Sequence, residues 1–389
     1  MMVTSPNQND LHRFTLDGSA ELERRLAELC QKIRQAVLKL VAAPKLEALV
    51  LGGGYGRGQG GVLKCETGEA PYNDLEFYVF LAGNHLVNSL KYCETFRKLA
   101  ESLSPQAKLH VEFKVDSLEK LRGSSVSIFS YDLVSRHRII YGPPAVFLAC
   151  EHHLDPNGIP AAEATRLLLN RCSGLLLAKE LLLKSSLTDT ESDFVGRNIA
   201  KANLALGDAL LVTHGKYHWD CLERNRRLRE LNPPTSPCFS QEVLKHHDAG
   251  VQFKLHPTRA ANAIQDFRKE HLKVTELALR EWLWIENQRL NESFENLREY
   301  SFSSVYKWPG NAWRNRLLNV KTFGAGATFD KNSQRYPRER LLNALPLLLA
   351  SGEDGSESDT RHLQSQLRTQ AADWAGLVAA YKQVWSSYG

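Results

Sequence analysis

Apolar side chains near the start of the chain recur with the spacing of an amphipathic helix. Ser19 suits an N-cap, and charged residues separate the apolar positions beyond it, which are Leu22, Leu26, Leu29, Ile33, Val37 and Leu40. A short apolar run from Ala48 to Leu51 follows. The pattern predicts a helix over residues 19–40 that docks on a core, and then a short buried strand.

Two later segments alternate apolar and polar positions with a period of two, which is typical of strands. In the first, one face carries Leu75, Phe77, Val79 and Leu81, and the other carries Asp74, Glu76, Tyr78 and Phe80. In the second, residues 109–116, the polar face carries His110, Glu112, Lys114 and Asp116. Each predicted strand therefore presents acidic groups on one face.

The rest of the chain predicts an α+β fold. Residues 86–103 and 118–121 have helical spacing, and residues 131–133 with 138–144 predict one more strand, ended by a Gly-Pro-Pro sequence. Beyond it, helical periods dominate over residues 161–184, 193–215, 240–247, 260–290 and 337–350. A small mixed β-sheet domain is thus followed by a mostly α-helical region. We assign residues 1–146 to a catalytic domain, 147–300 to a helical domain and 301–389 to a helical C-terminal region with a mobile acidic loop at 351–360.

Composition narrows the class of protein. At 389 residues the chain exceeds the usual size of one hydrophobic core. Seven scattered cysteines without a C-x-x-C pair favour buried thiols in a reducing compartment. The polar N-terminus lacks a signal-peptide core, and the best membrane candidate, residues 167–183, is interrupted by charged side chains. The sequence predicts a cytoplasmic protein that does not enter a membrane.

Basic side chains are concentrated between residues 310 and 340, where seven stand against Asp330 and Glu339. They are Arg314, Arg316, Lys321, Lys331, Arg335, Arg338 and Arg340. Such a patch can meet phosphates or nucleic acid. A locally paired surface is the commoner reason for such a run, so nucleic acid is the weaker interpretation.

A glycine-rich turn between residues 52 and 61 is the strongest candidate for chemistry. Glycines at this density let backbone N–H groups converge on an anion, and a phosphate is the usual guest. The Gly-Lys-Ser/Thr ending of a P-loop is missing. Gly56-x-Gly58-x-x-Gly61 matches a Rossmann pattern in form, but residues 64–73 predict a loop instead of the required helix. A protein-kinase loop is excluded because no V-A-I-K, H-R-D or D-F-G sequence accompanies it.

The remaining interpretation uses the acids as well as the turn. Two carboxylates at i and i+2 on one strand, with a third on a neighbouring strand, can hold two divalent cations for displacement at phosphorus. Ligands that are all oxygen suit Mg²⁺ or Mn²⁺.

At this point the chain resembles the polymerase-β-like nucleotidyltransferase superfamily, and within it the minimal and aminoglycoside-type enzymes. The resemblance rests on Gly53-Gly54-Tyr55-Gly56-Arg57-Gly58 followed by Asn73-Asp74-Leu75-Glu76, which is similar to the family's hG[GS] and [DE]h[DE] signature. It covers about residues 45–145, which end in the Tyr141-Gly142 pair common in that family. Nineteen residues, 55 to 73, separate Gly54 from Asp74, more than the family usually has, and Glu76 stands where Asp is commoner.

The resemblance implies the following site. Gly53, Gly54, Tyr55, Arg57 and Gly58 would form the nucleotide-binding turn. Asp74 and Glu76 would be paired metal ligands, and Glu112 would be the third catalytic acid, with Asp116 in reserve. Mg²⁺ or Mn²⁺ would be the cofactor and ATP or another NTP the substrate.

The expected function is metal-dependent transfer of a nucleoside monophosphate, AMP from ATP, to a hydroxyl or phosphate group of a small molecule. Two alternatives stay open. The acceptor can be a protein side chain, as in nucleotidyltransferases of the antitoxin type, or the chain can be an inactive regulator that binds nucleotide or nucleic acid.

Each candidate residue also has a purely structural interpretation. Asp74 and Glu76 can line the solvated face of an edge strand, and Arg57 can brace the turn instead of binding phosphate. Residues of the helical part that could reach a nucleotide are Arg171, Lys179, Lys201 and Tyr217. His214 and His218 have the i, i+4 spacing of a metal pair but lack an H-E-x-x-H context, so we do not expect zinc.

Overall fold

The computed structural model of the chain describes residues 13–388 except 67, 73, 232–240, 260–261, 309, 331 and 352–355. Asn73 of the acidic motif, the proline-rich break at 232–237 and part of the acidic loop at 351–360 therefore lie outside the described residues. The chain has an α+β fold, as the sequence predicts.

The described residues fall into two compact units. The first unit takes those up to Pro160, together with His214–Glu230 and Val251–Thr258, and the second takes those of Ala161–Thr213, Leu231–Gly250 and Arg259–Gly389. This division differs from the three consecutive domains expected from the sequence. Two short segments from the helical part of the sequence belong to the unit that contains the β-sheet. The rest of the chain after residue 160 belongs to the second unit.

A four-stranded sheet lies at the centre of the first unit, in the order β5-β4-β1-β6. Its strands are β1 (Leu46–Leu51), β4 (Leu75–Leu81), β5 (Val111–Asp116) and β6 (Arg138–Tyr141). Strand β1 is antiparallel to both β4 and β6, whereas β5 is parallel to β4. A parallel neighbour needs a crossover connection, and helix α3 (His85–Ala107) supplies it.

Helices cover both faces of this sheet. On one face, α1 (Ala20–Leu40) buries most of its predicted apolar stripe, although Leu40 at its end is exposed, and Ser19 caps the helix by accepting from the Leu22 N–H. On the other face lie α4 (Leu118–Arg122) and α5 (Ile128–Ser135). Residues 131–133, predicted as strand, are helical because Ser127 and Ser130 form a capping box at the start of α5.

Because both faces are covered, the polar face predicted for β4 is mostly internal. Tyr78 and Phe80 are buried against the α4–α5 side, Glu76 near the start of the strand stays partly exposed, and Asp74 just before the strand is exposed. Strand β4 is an interior strand of the sheet, so Glu76 does not line the solvated face of an edge strand.

The long connection between the turn and β4 is a hairpin. Strands β2 (Val62–Cys65) and β3 (Gly68–Pro71) pair antiparallel, so the prediction of a loop over residues 64–73 is wrong for β2 and β3. The Ser19 N–H donates to the Glu69 carboxylate, with 2.6 Å between the heavy atoms, and Arg25 donates to the Glu69 carbonyl. These contacts tie the hairpin to the start of α1.

The second unit is helical in its described residues. It contains α6 (Ala162–Leu182), α7 (Asp189–Thr213), α10 (Ile264–Leu290), α11 (Leu297–Phe302), α12 (Ala312–Phe323), α13 (Pro337–Ala350), α14 (Glu357–Leu367) and α15 (Trp374–Tyr388). Helix α8 (Cys221–Arg229) belongs to the first unit, and α9 (Gln241–Leu255) begins in the second unit and ends in the first. Residues 357–360 of the predicted mobile loop form the first turn of α14, which Ser356 caps.

No helix among the described residues is long and apolar enough to cross a membrane.

Candidate active site

The two glutamates predicted as catalytic stand side by side. Glu76 on β4 and Glu112 on β5 are register partners in the parallel pairing of these strands. Residues opposite each other on neighbouring strands project to the same face of a sheet. The fold therefore brings together two of the three predicted acids, which the sequence separates by a whole helix.

Lys114 places one positive charge between these two glutamates. Its Nζ lies 3.3 Å from Glu76 Oε2 and 3.2 Å from Glu112 Oε2. Burial alone would raise the pKa of Glu76, but Lys114, a hydrogen bond from the Tyr78 hydroxyl and the Arg57 charge hold that pKa below its usual value. Burial opposes the charge of Lys114, and the two glutamates nevertheless raise its pKa. Glu76 is thus held ionised at neutral pH.

The glycine turn packs directly on Glu76. Gly53 has φ +60°, and a Cβ there would lie 2.8 Å from Glu76 Oε1. A side chain at residue 53 would therefore meet both backbone strain and the carboxylate. The turn and the acid strand, which are separate motifs in the sequence, form one structure.

Most other residues of the turn hold its own shape. Gly53–Gly56 form a single helical turn, α2. The Tyr55 ring is buried, and its hydroxyl donates to the Gly61 carbonyl and accepts from the Tyr72 N–H. A ligand contact from Tyr55 would therefore have to come from its backbone. Gly54 packs on the Gln59 carbonyl, and Gly58 adopts φ +78°.

Arg57 points to a different carboxylate. Its Nη1 lies 2.8 Å from Asp132 Oδ2, and both side chains are largely buried. Arg57 therefore braces the turn through α5. Its positive charge also acts on Glu76, so it lies near the glutamate pair as well.

The other two candidate acids, Asp74 and Asp116, lie in different surroundings from the Glu76–Glu112 pair. Asp74 lies just before β4 and is exposed. Asp116 is engaged elsewhere, because Lys120 Nζ and His85 Nδ1 lie 3.0 and 3.3 Å from its Oδ1. Of the two candidates for the third acid, the geometry favours Glu112. Within the part of the chain that the structure describes, no group of three or more His, Cys, Asp or Glu side chains is placed to hold a metal ion.

The four residues of the helical part that were predicted to reach a nucleotide are divided between the two units. Lys179 donates to the carbonyls of Leu349 and Ser351 within the second unit. Tyr217 belongs to the first unit, where its hydroxyl lies 3.4 Å from Asp132 Oδ2. Arg171 and Lys201 belong to the second unit.

Part of the basic stretch at 310–340 is internal. Arg340 is fully buried and pairs with Asp330 at 3.0 Å, and Arg335 is buried against Glu339. Arg338 donates to the Tyr388 carbonyl. This pairing supports the interpretation of a locally neutralised region over a nucleic-acid surface.

Sequence reasoning missed three features of the site: Lys114 as the counter-ion of the glutamates, Asp132 as the partner of Arg57, and Lys254 near both Arg57 and Asp132. Lys114 was visible as a lone cation on the polar face of β5. Asp132 was hidden because residues 131–133 were predicted as strand. Nothing in the local pattern marks Lys254.

No protein-family model matches the chain, and no curated protein matches its sequence significantly.

Proposed function

We propose that the chain is a nucleotidyltransferase that moves AMP from ATP to a hydroxyl or phosphate group of a small-molecule acceptor. The proposal rests on one observation above all. Gly53, which has no side chain, packs against the Glu76 carboxylate, and Glu76 is the register partner of Glu112. A glycine turn next to a pair of carboxylates suits a phosphate whose charge is offset by a cation.

The donor set fits a divalent cation in its chemistry but is partly engaged. Glu76 and Glu112 offer oxygen ligands of the kind Mg²⁺ or Mn²⁺ prefers, with Asp74 close in sequence. Lys114 contacts one carboxylate oxygen of each glutamate, so a cation would have to displace it. A bound divalent cation would supply positive charge against the charge that develops on the α-phosphate.

The protein's own groups have defined tasks in this proposal. The acceptor oxygen forms a bond to the α-phosphorus, the bond from that phosphorus to the bridging oxygen breaks, and pyrophosphate leaves with the bonding electrons. Glu112, whose side chain is 43% exposed, takes the proton of an acceptor hydroxyl. Gly53 lets the backbone of the turn lie against Glu76. Lys114 holds Glu76 ionised and contacts both glutamates.

Transfer of label from α-³²P-ATP tests the proposal. The full chain is incubated with Mg²⁺ or Mn²⁺ and either the small-molecule fraction or the protein fraction of a cell lysate. We expect labelled small products, and we expect Glu76→Gln/Glu112→Gln to lower the rate at least about 100-fold, because the pair would hold the metal charge. Glu28→Gln, an exposed glutamate on α1 paired with Arg24, is the matched control.

The result separates the alternatives. Labelled protein bands would favour a protein acceptor. Equal transfer by wild type and Glu76→Gln/Glu112→Gln would overturn the proposed site.

A second candidate, a nucleotide-binding regulator without turnover, is favoured by the contact of Lys114 with both glutamates, because that lysine stands where a cation would bind. ATP binding without any transfer, unaffected by the double substitution, would select it.

A further inference from the structure

The first half of helix α3 exposes three large apolar side chains next to one another. Leu86, Val87 and Leu90 are 70%, 62% and 88% exposed, and we call them the ridge. Single apolar residues on a surface need no explanation, but three neighbours on one helix form a contiguous patch. The opposite face of α3 already packs on the sheet through Phe96 and Leu103. The ridge is therefore left without a partner among the described residues, as an interaction surface would be.

The second half of α3 forms one wall of an apolar groove, and strand β5 forms the other. The groove has a volume of about 560 Å³. Its lining includes Arg97, Ala100, Ser104 and Pro105 from α3, and Val111 and Phe113 from β5. Ser104 joins the two walls, because its hydroxyl oxygen accepts from the Val111 N–H at 3.0 Å. Since β5 is the outermost strand of the described sheet, no described strand closes the groove on that side.

Ridge and groove lie along one stripe of α3. The positions of the stripe are separated by four and three residues in alternation, and they are Leu86, Leu90, Cys93, Arg97, Ala100 and Ser104. This is the spacing at the seam of two helices that pack side by side. If a second α3 ran antiparallel about an axis at residue 95, Leu90 would face Ala100 and Leu86 would face Ser104. The surface is therefore self-complementary, which a two-fold interface requires.

The charged residues beside this stripe are compatible with a second copy. Arg97 lies near the middle of the stripe, where Glu94 at 2.6 Å and Glu101 hold its guanidinium. Lys98 lies 3.7 Å from Glu94. These two cations and two carboxylates balance within each copy, so two copies would bring no excess of one sign together. The aliphatic part of Arg97 can then cover apolar surface while its charged end stays in water.

The expected contact is small. Paired over residues 85–105, α3 presents a strip about 30 Å long and about 10 Å wide. Two such strips and the groove walls approach about 1,000 Å², the lower limit of specific interfaces. We propose that two copies of the chain pair antiparallel along α3, with the ridge of each copy in the groove of the other, as a weak two-fold dimer. A membrane or an unrelated peptide would cover the ridge but would not explain its match to a groove on the same helix.

Sedimentation velocity of the full chain over a series of concentrations, without nucleotide or metal, tests the proposal. We expect reversible association with a Kd in the micromolar range, because the interface is small. Leu90→Glu should weaken association about 10-fold or more, since it places a charge in the groove of the other copy. Leu272→Glu, at an apolar residue of α10 that is 59% exposed, is the matched control and should associate as wild type does. Because Leu90 is exposed in a single copy, Leu90→Glu should leave the urea midpoint of the monomer unchanged.

A short bismaleimide cross-linker tests the direction of pairing. In the antiparallel arrangement the two copies of Cys93 are offset by about 6 Å along the helix axes, and the two copies of residue 87 by about 24 Å. Cys93 is exposed, so we expect a covalent dimer through it in a chain that carries Cys65→Ser and Cys238→Ser. Adding Cys93→Ser should abolish the product, and adding Val87→Cys to that variant should not restore it.

Three results would overturn the proposal. They are a wild type that stays monomeric at every concentration, association as strong in Leu90→Glu as in wild type, and cross-linking through Val87→Cys as efficient as through Cys93. The first would assign ridge and groove to a different partner, and the third would mean that the helices pair in parallel. None of these measurements involves a nucleotide, so their outcome is independent of the proposed function.

Discussion

Each unit shields a glutamate from water, Glu76 in part and Glu281 almost fully, and the pKa values of the two shift in opposite directions. In the first unit, Glu76 is surrounded by Lys114, Tyr78 and Arg57, and its pKa is lowered. In the second, Glu281 on α10 is 1% exposed, and neither carboxylate oxygen has a hydrogen-bond partner among the described residues. Burial, and then the negative charge of Asp208, raise its pKa well above the usual value, against a smaller effect of Arg280.

The comparison shows that partners, and not burial alone, decide the charge of an internal carboxyl. A group kept ionised by an ammonium can exchange that ammonium for another cation. A group without partners stays protonated and acts as a bulky neutral side chain. For this reason Glu76 suits chemistry and Glu281 suits the core.

The largest expected effect is the pH dependence that Glu281 gives to stability. Because its folded pKa is raised, its contribution is fully present below about pH 4.5 and is lost as the pH rises towards the folded pKa. Over that window the free energy of unfolding should fall by up to about 1.4 kcal/mol per pH unit from this group. Urea unfolding of wild type and Glu281→Gln across pH 5 to 9 measures this loss. The free energy of unfolding of wild type should fall with rising pH relative to that of Glu281→Gln. Glu276→Gln, an exposed glutamate on the same helix, is the control, and parallel pH profiles for wild type and Glu281→Gln would contradict the prediction.

The second effect concerns the packing of the turn on Glu76. Gly53→Ala adds backbone strain at φ +60° and a contact with the carboxylate, so we expect a loss of about 3 kcal/mol in the free energy of unfolding. Gly68 also has a positive φ, +115°, but a Cβ added there would meet no atom within 4 Å, so Gly68→Ala reports strain without the contact. Adding Glu76→Ala should recover part of the loss at Gly53 only. Equal losses at both glycines, with no recovery, would count against the contact.

The third effect is that of the ammonium between the glutamates. Lys114→Met leaves Glu76 and Glu112 as neighbouring like charges, and we expect about 1 kcal/mol of destabilisation at pH 7 because the site is partly exposed and screened. The loss should shrink as the pH falls and Glu76 protonates. The substitution should also tighten Mn²⁺ binding, read by electron paramagnetic resonance. Unchanged Mn²⁺ affinity would show that Lys114 does not compete with a cation.

The smallest effect is expected at an exposed pair of the same type. Lys120→Met removes the cation that lies 3.0 Å from Asp116, where the lysine is half-exposed. Such pairs contribute about 0.5 kcal/mol or less. A loss as large as that of Lys114→Met, in the same unfolding measurement, would remove the distinction between the two sites.

Local patterns predicted those parts of the fold that depend on local periodicity. The helix α1 with its Ser19 cap and the strand at 75–81 are present as expected, although Leu40 is exposed and the polar face predicted for the strand is largely buried. The hairpin of β2 and β3 was missed because its stability comes from contacts with α1 that are far away in sequence. The helix at α5 was missed because a serine capping box outweighed the apolar residues that favour a strand.

The same limit applies to the candidate site. Residue type and spacing identified Gly53, Glu76 and Glu112, because a glycine turn and acids on alternating strands are visible along the chain. The role of Lys114 depends on the parallel pairing of β4 with β5, which places it against a glutamate 38 residues earlier. Lys254 reaches Arg57 only through the packing of the end of α9.

The sequence by itself therefore determined the main strands and helices of the first unit and which of them carry acids, since these follow from periods of two and 3.6 residues. Only the tertiary structure decided which charges meet. Strand register set Glu76, Glu112 and Lys114 together, and the docking of two later segments brought Tyr217 and Lys254 towards Asp132 and Arg57. The physical reason is that Coulomb interactions depend on distance in space and on local solvation, and neither quantity is encoded in sequence spacing.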